Sequence, residues 1–205
     1  MMTSLIAANL SEKSFLKGLG NAMKELSLNI LDIAENSFKA KATLTEIIIE
    51  ENSETLTLII KDNGCGMTRE ILNSVTNPFF TTRTTRKVGM GIPLLKSEAE
   101  MTGGSFEISS QSEIEFKDTH GTTVKAVFNK KHIDYTPLGD VVLSIVTLVQ
   151  GHPDSDILFN HSIGNKTVVL DTREIRRVLE DVPQNSFEVI KWIEEYLREQ
   201  YSEIN

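Results

Sequence analysis

From Lys24 onward, Leu26, Ile30, Ile33, Ala34 and Ser37 recur at spacings of three and four, one packed face of a helix. Two β-branched runs follow, Thr43 to Glu50 (TLTEIIIE) and Thr55 to Lys61 (TLTLIIK). With Asn52-Ser53 as the turn, they predict a hairpin. Met67 to Val75 predicts a short helix with Thr68 as its N-cap. Residues 76–90 are polar, rich in Thr and Arg, and aperiodic. They read as a long loop, and such loops are usually functional or mobile. A helix from near Gly91 to Gly103-Gly104 and strands over Ser105–Ser110 and Thr122–Phe128 complete this stretch.

The pattern changes near residue 130. The tail predicts a helix over Leu138–Gln150, strands over Ile157–His161 and Lys166–Leu170, and two final helices. Asp171 with Glu174, and Asn185 with Glu188, have capping-box spacing. Val189, Ile193, Tyr196 and Leu197 share a face of the last helix, and Trp192 beside them is expected in the core. The expected organisation is an N-terminal extension at 1–22, with Met23 as an alternative start, a domain at 23–130 and a small C-terminal α/β domain at 131–205. The fold class is α+β, with helices layered on an antiparallel sheet.

Composition narrows the function classes. Of the 205 residues, 40% are hydrophobic and 24% charged, which is globular usage and argues against disorder. The one cysteine, Cys65, excludes an intrachain disulfide and a Cys-rich zinc cage. The longest apolar stretch, Val141 to Val149, falls well short of the ~20 residues a membrane helix needs. The N-terminus lacks the charged start and long apolar core of a signal peptide, so a cytoplasmic location without a membrane span is expected. The net charge of −8 argues against binding nucleic acid by blanket phosphate neutralisation. That charge is uneven, −2 over 1–130 and −6 over 131–205.

Four features carry candidate chemistry. Asn29, Asp32, Asn36 and Lys39 form a polar stripe on the first helix. An Asn oxygen suits Mg²⁺, a carboxylate one turn earlier can orient a water, and a Lys one turn later can meet a phosphate. The wet face of any amphipathic helix also looks like this. Asp62-Asn63-Gly64-Cys65-Gly66-Met67 follows the second strand. A carboxylate there can accept from an adenine amine, and glycines let backbone approach a flat base; a plain turn is the alternative. Gly89-Met90-Gly91-Ile92-Pro93-Leu94 joins the long loop to a helix N-terminus, where backbone amides and the helix dipole favour an anion. Arg83, Arg86 and Lys87 lie just upstream. Neither a Walker A loop nor a Rossmann fingerprint fits. Gly121-Thr122-Thr123 opens the last strand before residue 130 with hydroxyls suited to a base or an ordered water.

In order, the Asn-bearing helix, DNGCGM, NPFFTTR, GMGIPL, TGGSFEI and GTTVKAVF resemble the GHKL superfamily of gyrase-type, heat-shock-chaperone, histidine-kinase and mismatch-repair ATPases. The resemblance spans roughly residues 24–130 and lies nearest the histidine-kinase branch. It implies a Bergerat ATP-binding fold, a two-layer α/β sandwich with ATP between helices and sheet. It further implies Asn36 as the Mg²⁺ ligand, Asp62 as the adenine-recognition carboxylate, and Gly64 and Gly66 with Met67 at the base pocket. Residues 76–90 resemble the ATP lid, with Pro78-Phe79-Phe80 as its hinge and Thr81, Thr82 and Arg83 toward the nucleotide. Gly89, Met90, Gly91 and Ile92 resemble the second glycine box at the phosphates. Thr122 or Thr123 resembles the threonine beside adenine, and Lys39 falls among the nucleotide-facing positions.

Two departures shape the functional expectation. Hydrolytic members carry Glu four residues before the magnesium Asn, where this chain has Asp32. All four histidines, His120, His132, His152 and His161, follow the lid, and none stands on an upstream phosphoacceptor helix. The expectation is a stand-alone module that transfers the ATP γ-phosphate to a protein partner in trans. It is similar in layout to histidine kinases and to anti-sigma-factor serine kinases, with Asp32 as base. An ATP-switched binding module and a slow ATPase stay open, as does a homodimer.

Overall fold

A computed structural model describes residues 25–76, 90–179 and 182–204. The chain order is α1 (Leu26–Lys39), β1 (Leu44–Glu51), β2 (Thr55–Asp62), α2 (Arg69–Ser74), α3 (Gly91–Met101), β3 (Ser105–Gln111) and β4 (Gly121–Asn129). Then come α4 (Val141–Gly151), β5 (Asp156–Ile163), β6 (Lys166–Asp171), α5 (Thr172–Leu179) and α6 (Phe187–Ser202). The strands form one six-stranded sheet in the order β3-β4-β2-β1-β5-β6. All neighbours pair antiparallel except β1 and β5, which run parallel.

Alternation along the strands makes the sheet two-sided. Thr45, Ile47 and Ile49 of β1, Leu56, Leu58 and Ile60 of β2, and Val124, Ala126 and Phe128 of β4 are buried, and their chain neighbours are not. The buried face lies under helices. Leu26, Ile30, Ile33 and Ala34 of α1, with Leu95 and Ala99 of α3, join the same core. Helix α3 packs over β3 and β4, and α1 lies between α3 and α4.

Asn52 closes the β1–β2 turn as its composition predicts, its Oδ1 accepting from the Glu54 and Thr55 N–H groups at 2.8 Å each. Thr68 caps α2, accepting from Ile71 N–H, so Met67 sits just outside the helix that the sequence pattern began there.

The tail departs from the sequence expectation of a separate small domain. Strand β5 pairs along the whole of β1, Leu44 with Asp156 through Glu51 with Ile163, so the tail widens the first sheet. Its helix α4 packs on α1, and Val142, Ile145 and Val149 belong to the common core. The N–H groups of Leu26 and Ser27 donate to the carbonyls of Pro137 and Leu138, and Ser144 Oγ donates to Ser27 O at 2.9 Å. Farther out, fully buried His161 lies 2.8 Å from the Tyr201 hydroxyl through Nδ1 and 3.3 Å from Glu51 through Nε2, tying α6 to the sheet.

Two smaller expectations fail. The last helix starts after Ser186, whose side chain makes no capping bond, so the Asn185–Glu188 pattern is not its cap. Trp192 is half exposed and stacks on Tyr196 beside an apolar groove with Ile175, Val178 and Val189, because the core-facing stripe of α6 runs through Val189, Ile193 and Leu197.

Candidate functional site

The predicted site residues inside the described segments gather at one end of the sheet, where α1, the loop after β2, the start of β4 and the first turn of α3 meet. Asp62 ends β2 and pairs in register with Thr122, the second residue of β4. Its carboxylate is held from both sides. Ser37 Oγ on α1 donates to Oδ2 at 2.9 Å, and Gly64 N–H donates to Oδ1 at 2.9 Å. Both oxygens keep a lone pair for a further donor.

The glycines around Asp62 are required by close approach. A Cβ on Gly66, which has φ of +64°, would lie 1.9 Å from the Gln111 carbonyl oxygen. A Cβ on Gly121 would lie 2.0 Å from the Asp62 carbonyl. On the buried Gly64 it would meet Ala40 at 2.8 Å. Only glycine lets these backbones pack this closely.

Ser110 is a site residue that sequence reasoning missed. Its hydroxyl accepts from Met67 N–H at 2.8 Å, donates to Gly121 O at 2.9 Å and stands 2.9 Å from Thr122 Oγ1. It stitches the Asp62–Met67 loop to the start of β4. In sequence it is one serine in an ordinary strand, and its role follows from the β3–β4 pairing that sets it opposite Thr122. His120 also joins this loop, its Nδ1 lying 2.6 Å from the Gly64 carbonyl. Thr123 occupies the next β4 position and points to the other side of the sheet.

On the helix side, Asp32 of α1 lies against Gly91, the first residue of α3. A Cβ on Gly91 would be 2.1 Å from Asp32 Oδ2. A carboxylate therefore stands at the end of α3 where backbone N–H groups are unpaired and the dipole is positive. Met90 and Gly91 are buried there and Ile92 is half-buried; Pro93 sits in the first turn, where its missing N–H costs nothing. Asn36 is half-buried one turn along α1 from Asp32. Lys39 is half exposed and forms an ion pair with Glu35 at 3.5 Å. Glu35 also meets His152 Nε2 at 2.8 Å, and the His152 ring stacks on Phe38 at 4.0 Å between centroids. Lys39 thus has a partner on its own helix. Phe80, Thr81, Thr82, Arg83, Arg86, Lys87 and Gly89, expected at an ATP lid and second glycine box, lie outside the described residues.

Asp62 beside Thr122 provides a braced carboxylate acceptor flanked by Gly64, Gly66 and Gly121. Asp32 and Asn36 stand one turn apart on α1, and the N-terminus of α3 meets Asp32 at Gly91. Adenine at one end and phosphates with a hard cation at the other match these chemistries. Among the described residues, no three His, Cys, Asp or Glu side chains form a metal-binding group. No helix among the described residues is long and apolar enough to cross a membrane.

Parts of the chain are similar to known proteins. Sporulation kinase A of Bacillus subtilis is 28% identical over 57% of this chain and 18% of its own length. The sensor protein KdpD of Clostridium acetobutylicum is 31% identical over 43% of this chain and 10% of its own length. The sensor histidine kinase YvrG of Bacillus subtilis is 26% identical over 55% of this chain and 17% of its own length. The chain thus spans less than a fifth of each of these relatives. Among solved structures, the N-terminal domain of a DNA repair protein superposes with a TM-score of 0.49 at 14% identity, over 72% of this chain and 52% of that one. The Aquifex aeolicus MutL ATPase domain complexed with ADP superposes with a TM-score of 0.46 at 15% identity, over 77% and 69%. The family model for histidine kinase-, DNA gyrase B- and HSP90-like ATPases matches residues 16–132, more than half the chain, and the protein belongs to that family.

Proposed function

We propose that this protein binds Mg²⁺–ATP at the Asp62–Gly91 site and transfers the γ-phosphate to a protein partner in trans, in a regulatory pathway. The observation that carries the reading is the Asp32 carboxylate against the first residue of α3. It puts a proton acceptor beside the amides suited to phosphates.

Asp62 accepts from the adenine amine, braced by Ser37 and the Gly64 N–H. The hydroxyls of Thr122 and Ser110 hold the adjoining wall, directly or through a water. Asn36 would hold Mg²⁺, which would supply neutralisation of the phosphate charge. The partner's nucleophile attacks the γ-phosphorus and gives its proton, where it carries one, to Asp32. The bond from that phosphorus to the β–γ bridging oxygen breaks, and ADP leaves with that electron pair. Asp32 is one methylene shorter than Glu, so it sits farther from a small nucleophile such as water, which favours a bulkier partner side chain. The kinase names of the relatives support the same class of chemistry. In this reading the protein works in the cytoplasm.

Incubating the full chain with γ-labelled ATP and a lysate tests the transfer. Label on a partner protein, lost with Asp32→Asn, is expected. No labelled protein, with steady phosphate release instead, would replace transfer with a slow ATPase.

A further inference from the structure

Beneath the site, α1 and α3 share a second contact that no step above uses. Asn29 and Glu98 are both buried, Asn29 fully, and Asn29 Nδ2 donates to Glu98 Oε2 in a short hydrogen bond. The other oxygen of each side chain, Asn29 Oδ1 and Glu98 Oε1, is buried without a partner. Two orphaned acceptors on a bonded pair are costly as they stand. One proton on the carboxyl removes both costs, because the acid O–H can donate to the amide oxygen while the amide N–H donates to the carboxyl oxygen. A carboxylate here would be an uncompensated buried charge.

Among the described residues, the charged groups on the elements packed around the pair bring no positive charge to it. Lys96 and Glu100 pair with each other at 4.0 Å on the outer side of α3. Glu25 at the start of α1 meets Ser27 and the Asp140 N–H. Asp32 lies against Gly91, and Glu35 pairs with His152 and Lys39. Glu107 of β3 and Lys125 of β4 alternate with the helix-facing residues Phe106, Ile108, Val124 and Ala126, so they lie on the far side of the sheet. Burial pushes the Glu98 carboxyl up to about 7, against a smaller opposing effect of its hydrogen bond from Asn29.

We propose that Asn29 and Glu98 are a positioning pair for the nucleotide site, joined through a neutral Glu98 carboxylic acid in a two-hydrogen-bond ring. Asn29 lies about one turn before Asp32 on α1, and Glu98 about two turns after Gly91 on α3. The ring and the Asp32–Gly91 contact are two points that pin the helices together. Together they set how far Asp32 and Asn36 stand from the amide end of α3. Loss of the proton leaves a buried anion facing Asn29 Oδ1, loosens the pin and separates the two halves of the phosphate site. Neither residue touches nucleotide; both act through helix placement, and the proposal rests on the nucleotide reading above.

The test uses the full chain and a non-hydrolysable ATP analogue with Mg²⁺, titrated from about pH 6 to about pH 8.5. Glu98→Gln keeps the shape and can form the same ring with an amide at every pH. Wild-type affinity should fall across this range by about threefold or more relative to the Gln variant. The ratio cancels the nucleotide's own titration. Parallel profiles would overturn the proposal. Infrared spectroscopy gives a readout independent of nucleotide: the wild type should show a carboxylic-acid C=O band at pH 6 that fades as pH rises and is missing in Glu98→Gln. Absence of that band in the wild type would overturn the ring even if the variant failed to fold. Absence of analogue binding at every pH, with the band present, would instead count against the ATP reading and leave the ring standing.

Discussion

At the scale of single residues, Gly91 separates stability from function. Alanine there would put Cβ 2.1 Å from Asp32 Oδ2, the tip of a flexible side chain. The carboxylate can swing away, so Gly91→Ala should melt within about 1 kcal/mol of the wild type. Displacing Asp32 from the end of α3 should cost about tenfold or more in phosphoryl transfer, with a smaller change in ATP affinity. Calorimetry with single-turnover transfer checks both, and equal losses in melting and transfer would contradict the assignment. Legibility varies at this scale. Asp62, Gly66 and Gly91 stand out because backbone approach needs glycine and a strand-end carboxylate is conspicuous. Ser110 and Glu98 do not, because their partners lie at least 11 residues away and no local spacing marks them, and Asn29 shows only as part of the α1 stripe, without its partner.

Among elements, periodicity predicts type well and pairing poorly. The expected hairpin, the helix from Gly91 and the two following strands all form within a residue or two of their predicted ends. The β1–β5 ladder was not legible, since it joins residues more than 100 apart and alternation says only that a strand has a buried face. Asp140 shows how such distant elements are held. It caps α4 by accepting from Leu143 N–H at 3.0 Å, and it pairs with Arg198 of α6 at 2.7 Å. The Arg198 guanidinium, more than the cap, holds the Asp140 carboxyl below its usual range. A lowered folded pKa means the contribution is present above the unfolded value of 3.8 and is lost as pH falls through the folded one. The ion pair is substantially exposed, so the cap dominates the expected loss. Asp140→Ala should cost about 1 kcal/mol at pH 7 and less once the wild-type carboxyl is protonated, which removes the pairing with Arg198. Thermal melts across the acid range measure this, and a pH-independent loss would contradict it.

On the scale of the molecule, the tail is part of the fold that carries the site. Helix α4 covers α1, and β5 covers the edge of β1. A fragment of residues 23–130 would expose the apolar face of α1 and a long β1 edge rich in isoleucine. It should aggregate or melt without a cooperative transition; a monomeric fragment with a sharp melt would show the tail to be dispensable. In the proposed site Asp62 accepts from adenine, on a fold to which the tail adds α4 and β5. Calorimetric titration of the full chain with Mg²⁺ and a non-hydrolysable ATP analogue tests it most directly. Wild type should bind, and Asp62→Asn should lose about 1.5–3 kcal/mol, roughly tenfold or more in Kd, with its fold intact by circular dichroism. Equal affinity of the two proteins would contradict the site.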